Sequence, residues 1–281
     1  MSETGSSGST PVGPRCAIVL AGRRSSDDPL AAAAGAPHRA LLDIEGEPML
    51  LRVVQRLVAR STIERILINI DEPALLGDVP GLKTLHASGA VEYMTSTSSP
   101  SESVLESLEW ADLEAGPVLV TTADHALLDD AMLDAFFEGS EDAEADLTLA
   151  LVPRTTIEAH FPETRRTYLH FSDESYSGAN LFLFRTPKAK RAAAFWRGVE
   201  SQRKQPWRIV RAFGLLNLAL FLARCLSLER AFVRASHVIG AELRAIPLGI
   251  AEAAIDVDKI EDLELVRQIL EQRRRRRSGQ A

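Results

Sequence analysis

The stretch "VLVTTADHALLDD", Val118 to Asp130, sets a carboxylate at Asp124 and an imidazole at His125 directly behind an apolar run. A carboxylate at the end of a buried strand can ligate a hard cation such as Mg²⁺, which takes oxygen ligands and keeps several waters. It can equally be the polar stop where a strand leaves the core. A second acidic stretch, "AAIDVDKIEDLELV", spans Ala253 to Val266. There Asp256 and Asp258 alternate with Ile255 and Val257, so both carboxylates fall on one side of an extended segment. One of them could complete a metal site. Asp258 could also cap the helix that follows, with Glu261 and Asp262 complementing its dipole.

Cations and a glycine complete the chemistry-bearing set. In "VLAGRRSSDDPLA", Gly22 follows a buried run and is followed by Arg23 and Arg24. Glycine lets a backbone loop approach a phosphate closely, and the planar arginine fork bonds two phosphate oxygens. A plain turn with surface arginines reads the same way. The loop is neither a GxxxxGK[ST] phosphate loop nor a GxGxxG dinucleotide fingerprint. Arg39, in "PHRALLDIEGEPML", is a further cation just before a turn and a helix.

These residues need strands to carry them. "CAIVLAG", "RILINI", "AVEYMTS", "PVLVTTAD" and "DLTLALVP" read as strands. They alternate with helical stretches, among them "SESVLESLEWA" with Ser101 as N-cap and "DAMLDAFFEG" capped by Asp129 and ended by Gly139. Such alternation predicts βαβ units: an α/β, Rossmann-like fold in three layers, with a mostly parallel central sheet and helices on both faces. Ligands in such folds sit beyond the carboxyl ends of the strands, where Gly22 and Asp124 both fall. In the second half, "YLHFSD" and "ANLFLFR" read as strands about a "YSG" turn, "ELRAIPL" and "EAAIDVD" as short strands, and the rest as helices.

At 281 residues the chain is long enough for one large α/β domain. Residues 1–14, rich in Ser, Gly, Thr and Pro, read as a disordered tail without the apolar core of a secretory signal. Residues 15–271 form the expected domain, and 272–281, with "RRRRR" at Arg273–Arg277, a basic tail. The net charge of −7 argues against general nucleic-acid binding. Cys16 and Cys225 read as buried thiols without CxxC spacing, consistent with a cytoplasmic location. The apolar run Ala212 to Leu226 is shorter than the roughly 20 residues a membrane span needs, and reads as a core helix or a contact for a lipid-linked molecule.

Taken together, "VLAGRR", "HRALLDIEGEPML", "VTTADHALL", "YSGANLFLF" and "DVDKIEDL" resemble, in order and spacing, the MobA-like NTP transferases of the GT-A type fold. "LAGRRSSDDPLA" is similar to a subgroup with "LAGxR…DPLA". The resemblance covers Cys16 to Leu270. It implies transfer of a nucleoside monophosphate from an NTP, with CTP or GTP favoured, to a phosphorylated sugar, polyol or alcohol, with pyrophosphate released. It implies Mg²⁺ held by Asp124 and Asp258, and nucleotide contacts from Leu20, Ala21, Gly22 and Arg23. Arg24 would meet the triphosphate. Arg39 stands where the family usually has a catalytic lysine, and Arg23 where it usually has a second glycine. Pro100 and Ser103 fall where the family contacts the base.

The acceptor side would involve Ser177, Gly178 and Asn180, with Arg203, Lys204 and Trp207 as a phosphate grip. An attacking phosphate oxygen is already anionic, so His125 is not required as a base and reads as a neighbour of the acceptor. Peripheral membrane contact through the arginine tail, and a monomer or homodimer, stay open. Two other readings compete: a nucleotide-sugar glycosyltransferase of the same fold, and a nucleotide-binding protein without catalysis.

Overall fold

The computed structural model describes residues 13–23, 28–200 and 214–279. Most of the expected N-terminal tail, Arg24, and the group Arg203, Lys204 and Trp207 lie outside the described residues. Strand β1 (Cys16–Leu20) is the first element among the described residues and is followed by α1 (Pro29–Ala33). A 3-10 turn at Arg39–Leu41 leads into the hairpin β2 (Asp43–Ile44) and β3 (Glu47–Pro48), then α2 (Met49–Val58). Next come β4 (Arg65–Ile70), α3 (Pro80–Ala87), β5 (Val91–Thr95), α4 (Pro100–Ala111), β6 (Val118–Thr122) and α5 (Asp130–Asp142). The second half adds β7 (Leu147–Pro153), α6 (Arg154–His160), β8 (Leu169–His170), β9 (Ser175–Phe184) and α7 (Lys190–Glu200). It closes with α8 (Leu215–Leu222), α9 (Leu228–Ile239), β10 (Leu243–Pro247) and α10 (Ile260–Ser278).

The main sheet runs β10-β7-β9-β6-β1-β4-β5, with β8 paired to the start of β9. All of its neighbours are parallel except those of β9, which runs against β6, β7 and β8. The alternating apolar residues of β1 explain the three layers. Ala17 and Val19 enter one core with α2 and α5, while Cys16 and Ile18 enter the other with α4 and α7. From β1 the chain adds β4 and β5 on one side, then returns with β6 on the other. The switch point thus lies between β1 and β6, where Leu20 is level with Thr122. Gly22 and Asp124 each sit two residues beyond, on the two lips of that crevice.

Several local expectations are corrected. "YSG" is not a turn. It lies inside β9, and the irregular register near Leu149 and Leu151 is absorbed at Asn180, whose φ is +49°. Asparagine tolerates that left-handed conformation better than most residues. "EAAIDVD" forms a 3-10 turn at Ala251–Ala254 and an extended strap rather than a strand. Ser99, not Ser101, caps α4, because Pro100 takes the first helical position. Asp129 caps α5, but the helix passes Gly139. A Cβ there would stand 2.6 Å from Ile246, so glycine permits close helix–strand packing.

Cys225 is exposed, while Cys16 is buried as expected. The apolar run yields α8 on the surface, with Leu216 and Leu222 exposed. The last helix extends through the arginine run to Ser278, and Arg273 pairs with Asp129 (3.0 Å) and Glu252 (3.4 Å). Among the described residues, no helix is long and apolar enough to cross a membrane.

Candidate functional site

The crevice opens into a cavity of about 610 Å³ lined by Leu20, Ala21 and Gly22 after β1, Arg39, Ser96–Ser98, Pro100 and Ser103, and Asp124 and Asp258. The loops are anchored by main-chain bonds. The Ala21 N–H donates to the Asn69 carbonyl (2.8 Å), and the Ala123 N–H to the Leu20 carbonyl (2.9 Å). At Gly22 a Cβ would lie 2.7 Å from Ser96 Oγ, so glycine lets this loop pass close to Ser96. The Thr97 N–H donates to Ser103 Oγ (2.8 Å), so the Ser103 hydroxyl holds its own loop in shape. The hydroxyls of Ser99 and Ser101 donate to Glu200 Oε2 (3.0 and 2.8 Å), which ties the start of α4 to the end of α7.

The opposite wall is acidic. Asp124, Asp256 and Asp258 each offer a carboxylate oxygen, all within 4.8 Å of one another. The Val257 N–H donates to the Asp124 carbonyl (3.1 Å), which clips the strap carrying Asp256 and Asp258 onto the end of β6. Asp258 is not the helix cap. Lys259 takes that position, and Asp262 accepts the Asp258 and Lys259 N–H groups (3.1 and 3.2 Å). The Asp258 side chain instead accepts from Arg39 Nη2 (2.5 Å), while the Val257 carbonyl also accepts from Arg39 (2.6 Å). Buried Arg166 donates to Asp256 (2.7 Å) and Asp262 (2.9 Å).

Burial pushes the Asp124 carboxyl up to about 6; the Thr122 hydroxyl bonded to it works the other way, as does Arg39, while Asp256 and Asp258 add to the rise. Asp256 is also raised, first by burial and then by Asp258. Within this cluster, four carboxylates face two guanidinium groups. An all-oxygen donor set with uncompensated negative charge fits a hard divalent cation. Alternation in the strap pointed to Asp256 or Asp258 as the second ligand, and the structure brings both beside Asp124. Arg166 was not expected here, and no local pattern marks it.

Some expected residues fall elsewhere. Arg23 borders the cavity, yet its guanidinium is engaged by Asp71 and Glu72. His125 does not line the cavity. It is wholly buried, neither ring nitrogen has a hydrogen-bond partner among the described residues, and burial pushes its pKa down to about 4. Ser177, Gly178 and Asn180 lie on β9 and do not line this cavity, though β9 flanks β6 and extends past its end on the Asp124 side.

The MobA-like NTP transferase domain matches residues 17–209. The chain belongs to that family. It is a nucleotidyltransferase by family. A hypothetical transferase from Thermus thermophilus is similar at 29% identity, covering 89% of this chain and 100% of its own, with a TM-score of 0.72. A CMP:2-keto-3-deoxy-manno-octonic acid synthetase solved with CTP shares the fold at 15% identity, with 93% and 100% coverage and a TM-score of 0.54. A 4-diphosphocytidyl-2C-methyl-D-erythritol synthase from Anaerococcus prevotii does so at 11% identity, with 91% and 95% coverage and a TM-score of 0.52. No curated protein sequence matches the chain.

Proposed function

We propose that the protein transfers a nucleoside monophosphate from an NTP to a phosphorylated small acceptor, a sugar, polyol or alcohol phosphate, in the cytoplasm. The observation that carries this reading is the half-buried Asp124, gathered with Asp258 across the crevice from the Gly22 loop. An acceptor phosphate oxygen attacks the α-phosphorus; the bond from that phosphorus to the bridging oxygen breaks, and pyrophosphate leaves. Such chemistry depends on positioning and charge neutralisation. Bound Mg²⁺, held by Asp124 and Asp258, would supply charge neutralisation at the phosphates.

Arg39 borders the cavity beside Asp258, suited to phosphate oxygens in place of the usual lysine. Leu20, Ala21 and Gly22 present backbone to the nucleotide, and Pro100 with the Ser96–Ser98 loop borders the base. Arg24 for the triphosphate, and Arg203, Lys204 and Trp207 for the acceptor, are carried by the motif alone. Ser177, Gly178 and Asn180 belong to the acceptor side through their place beside β6. CTP is the favoured nucleotide, because the two fold relatives named for cytidylyl chemistry share this architecture.

Pyrophosphate release measured with each of the four NTPs, Mg²⁺ and a panel of phosphorylated acceptors tests the reading. Release with CTP and at least one sugar or polyol phosphate is expected. Binding of nucleotide without release from any pair would overturn it.

A further inference from the structure

The Gly22 loop and the Arg39 turn are joined by residues that none of the roles above explains. Asp71, just past β4, stands between them. Its Oδ1 accepts the Arg23 backbone N–H (3.1 Å), and its Oδ2 accepts Arg23 Nε (2.9 Å). On the other side, His38 Nε2 lies 2.9 Å from Asp71 Oδ1. The wholly buried His38 ring reaches the Arg39 turn as well, because its Nδ1 accepts the Ala40 N–H (3.0 Å). Since Nδ1 is an acceptor, the ring proton sits on Nε2, which donates to Asp71. Glu72 holds the outer nitrogen of Arg23. Burial raises the Asp71 carboxyl, but the bonds from His38 and Arg23 outweigh it and keep the group below the ordinary aspartate range. Asp71 is therefore ionised at neutral pH.

We infer that Arg23, Asp71 and His38 form a latch that locks the nucleotide loop and the Arg39 turn into one rigid unit. Arg23 is then a positioning residue, turned away from the triphosphate. This accounts for an arginine where the resembling loop has a second glycine: the fork is anchored sideways by Asp71 and Glu72. It also gives buried His38 a purpose, because its two nitrogens connect the 3-10 turn bearing Arg39 to the end of β4. The kinetic consequence rests on the proposed nucleotidyl transfer. The structural half stands without it.

Amide hydrogen exchange on the full, ligand-free chain tests the latch. In Arg23→Met the Ala40 amide, on the other loop, is expected to exchange about tenfold faster or more, because local opening of one loop frees the other. The Val19 and Leu67 amides, in the central strands, report whether the fold is intact and are expected not to change. Asp71→Asn, which keeps one acceptor oxygen, gives the same pattern more weakly. Unchanged Ala40 protection in both variants overturns the latch.

Calorimetry with CTP and with CMP adds a readout that loss of packing alone would not separate. A latch weakens both nucleotides alike, keeping the ratio of their affinities within about threefold. A selective loss of CTP affinity in Arg23→Met means that Arg23 grips the triphosphate, and refutes the assignment. If the unaltered protein binds neither nucleotide, the nucleotidyl-transfer reading fails, while the amide result still decides the latch.

Discussion

The Gly22 side of the cleft offers backbone and hydroxyl groups, with the Arg23 guanidinium already paired to Asp71 and Glu72; the Asp124 side offers carboxylates and guanidinium groups. On the first side, each loop is held by polar contacts that satisfy one another, from the near Ser103–Thr97 pair to the distant Arg23–Asp71 and Ser99–Glu200 pairs. On the second, the contacts that gather the carboxylates span long stretches of chain: Arg39 to Asp258, Arg166 to Asp256 and Asp262, Val257 to Asp124. One wall gains its shape from contacts whose charges balance. The other gathers like charges that repel unless distant arginines, and in the proposed reaction a cation, balance them. The walls should therefore respond oppositely to substitution. Damage to the acidic wall should separate activity from stability, while damage to the backbone wall should change both together.

The largest effect is expected at Asp124. Asp124→Asn should reduce turnover by about 10³-fold, the scale of losing a central electrostatic contact in a dry site. The same change should make the metal-free protein more stable at pH 7.5, by about 2 kcal/mol, because it removes a buried carboxylate whose ionisation is disfavoured. Kinetics with Mg²⁺ and urea unfolding in chelator read the two halves. Full retention of activity would remove Asp124 from the site.

Arg166 should show the opposite sign. Arg166→Met leaves Asp256 and Asp262 without their shared cation in a buried setting, and breaking such a pair from one side costs about 3 kcal/mol. Urea unfolding of the metal-free protein measures it. A loss below about 0.5 kcal/mol would mean that Arg166 behaves as a surface residue, and the contrast between the walls would collapse.

What was legible in the sequence follows the same division. Strand, glycine and helix signals are local, so the succession of strands along the chain and the positions of Gly22 and Asp124 at strand ends could be read from apolar runs and turn residues, while their order in the sheet could not. The period-two alternation around Ile255 and Val257 correctly set Asp256 and Asp258 on one side, even though the segment is a strap and not a strand. Partnership across the chain was not legible. Arg166 looks like any loop arginine until β8 and β9 bring it beneath the strap. The direction of the His125 ring, into the core, was not legible either, because adjacency to Asp124 in sequence does not fix where a side chain points. The exposure of α8 was not legible because a nearly all-apolar stretch, broken only by Asn217, carries no periodicity to show which face is buried.

The smallest effect, and the finest test of the comparison, is in pH. The folded value of Asp124, about 6, lies above the ordinary 3.8, so the folded chain holds this proton more tightly than the unfolded chain. The stabilisation from that proton is therefore absent above pH 6 and grows as pH falls from about 6 towards 4. The stability gap between Asp124→Asn and the unaltered protein should be widest near pH 7.5 and close towards pH 4. Metal binding should show the reverse dependence, because the proton competes for the same oxygen. Apparent Mg²⁺ affinity should fall by up to about tenfold per unit below pH 6, and much less above it. CTP binding measured in chelator involves no competition between metal and proton at Asp124, so it should fall less per pH unit than the Mg²⁺ affinity does. A metal-free CTP affinity that falls as steeply as the Mg²⁺ affinity would break the comparison between the walls.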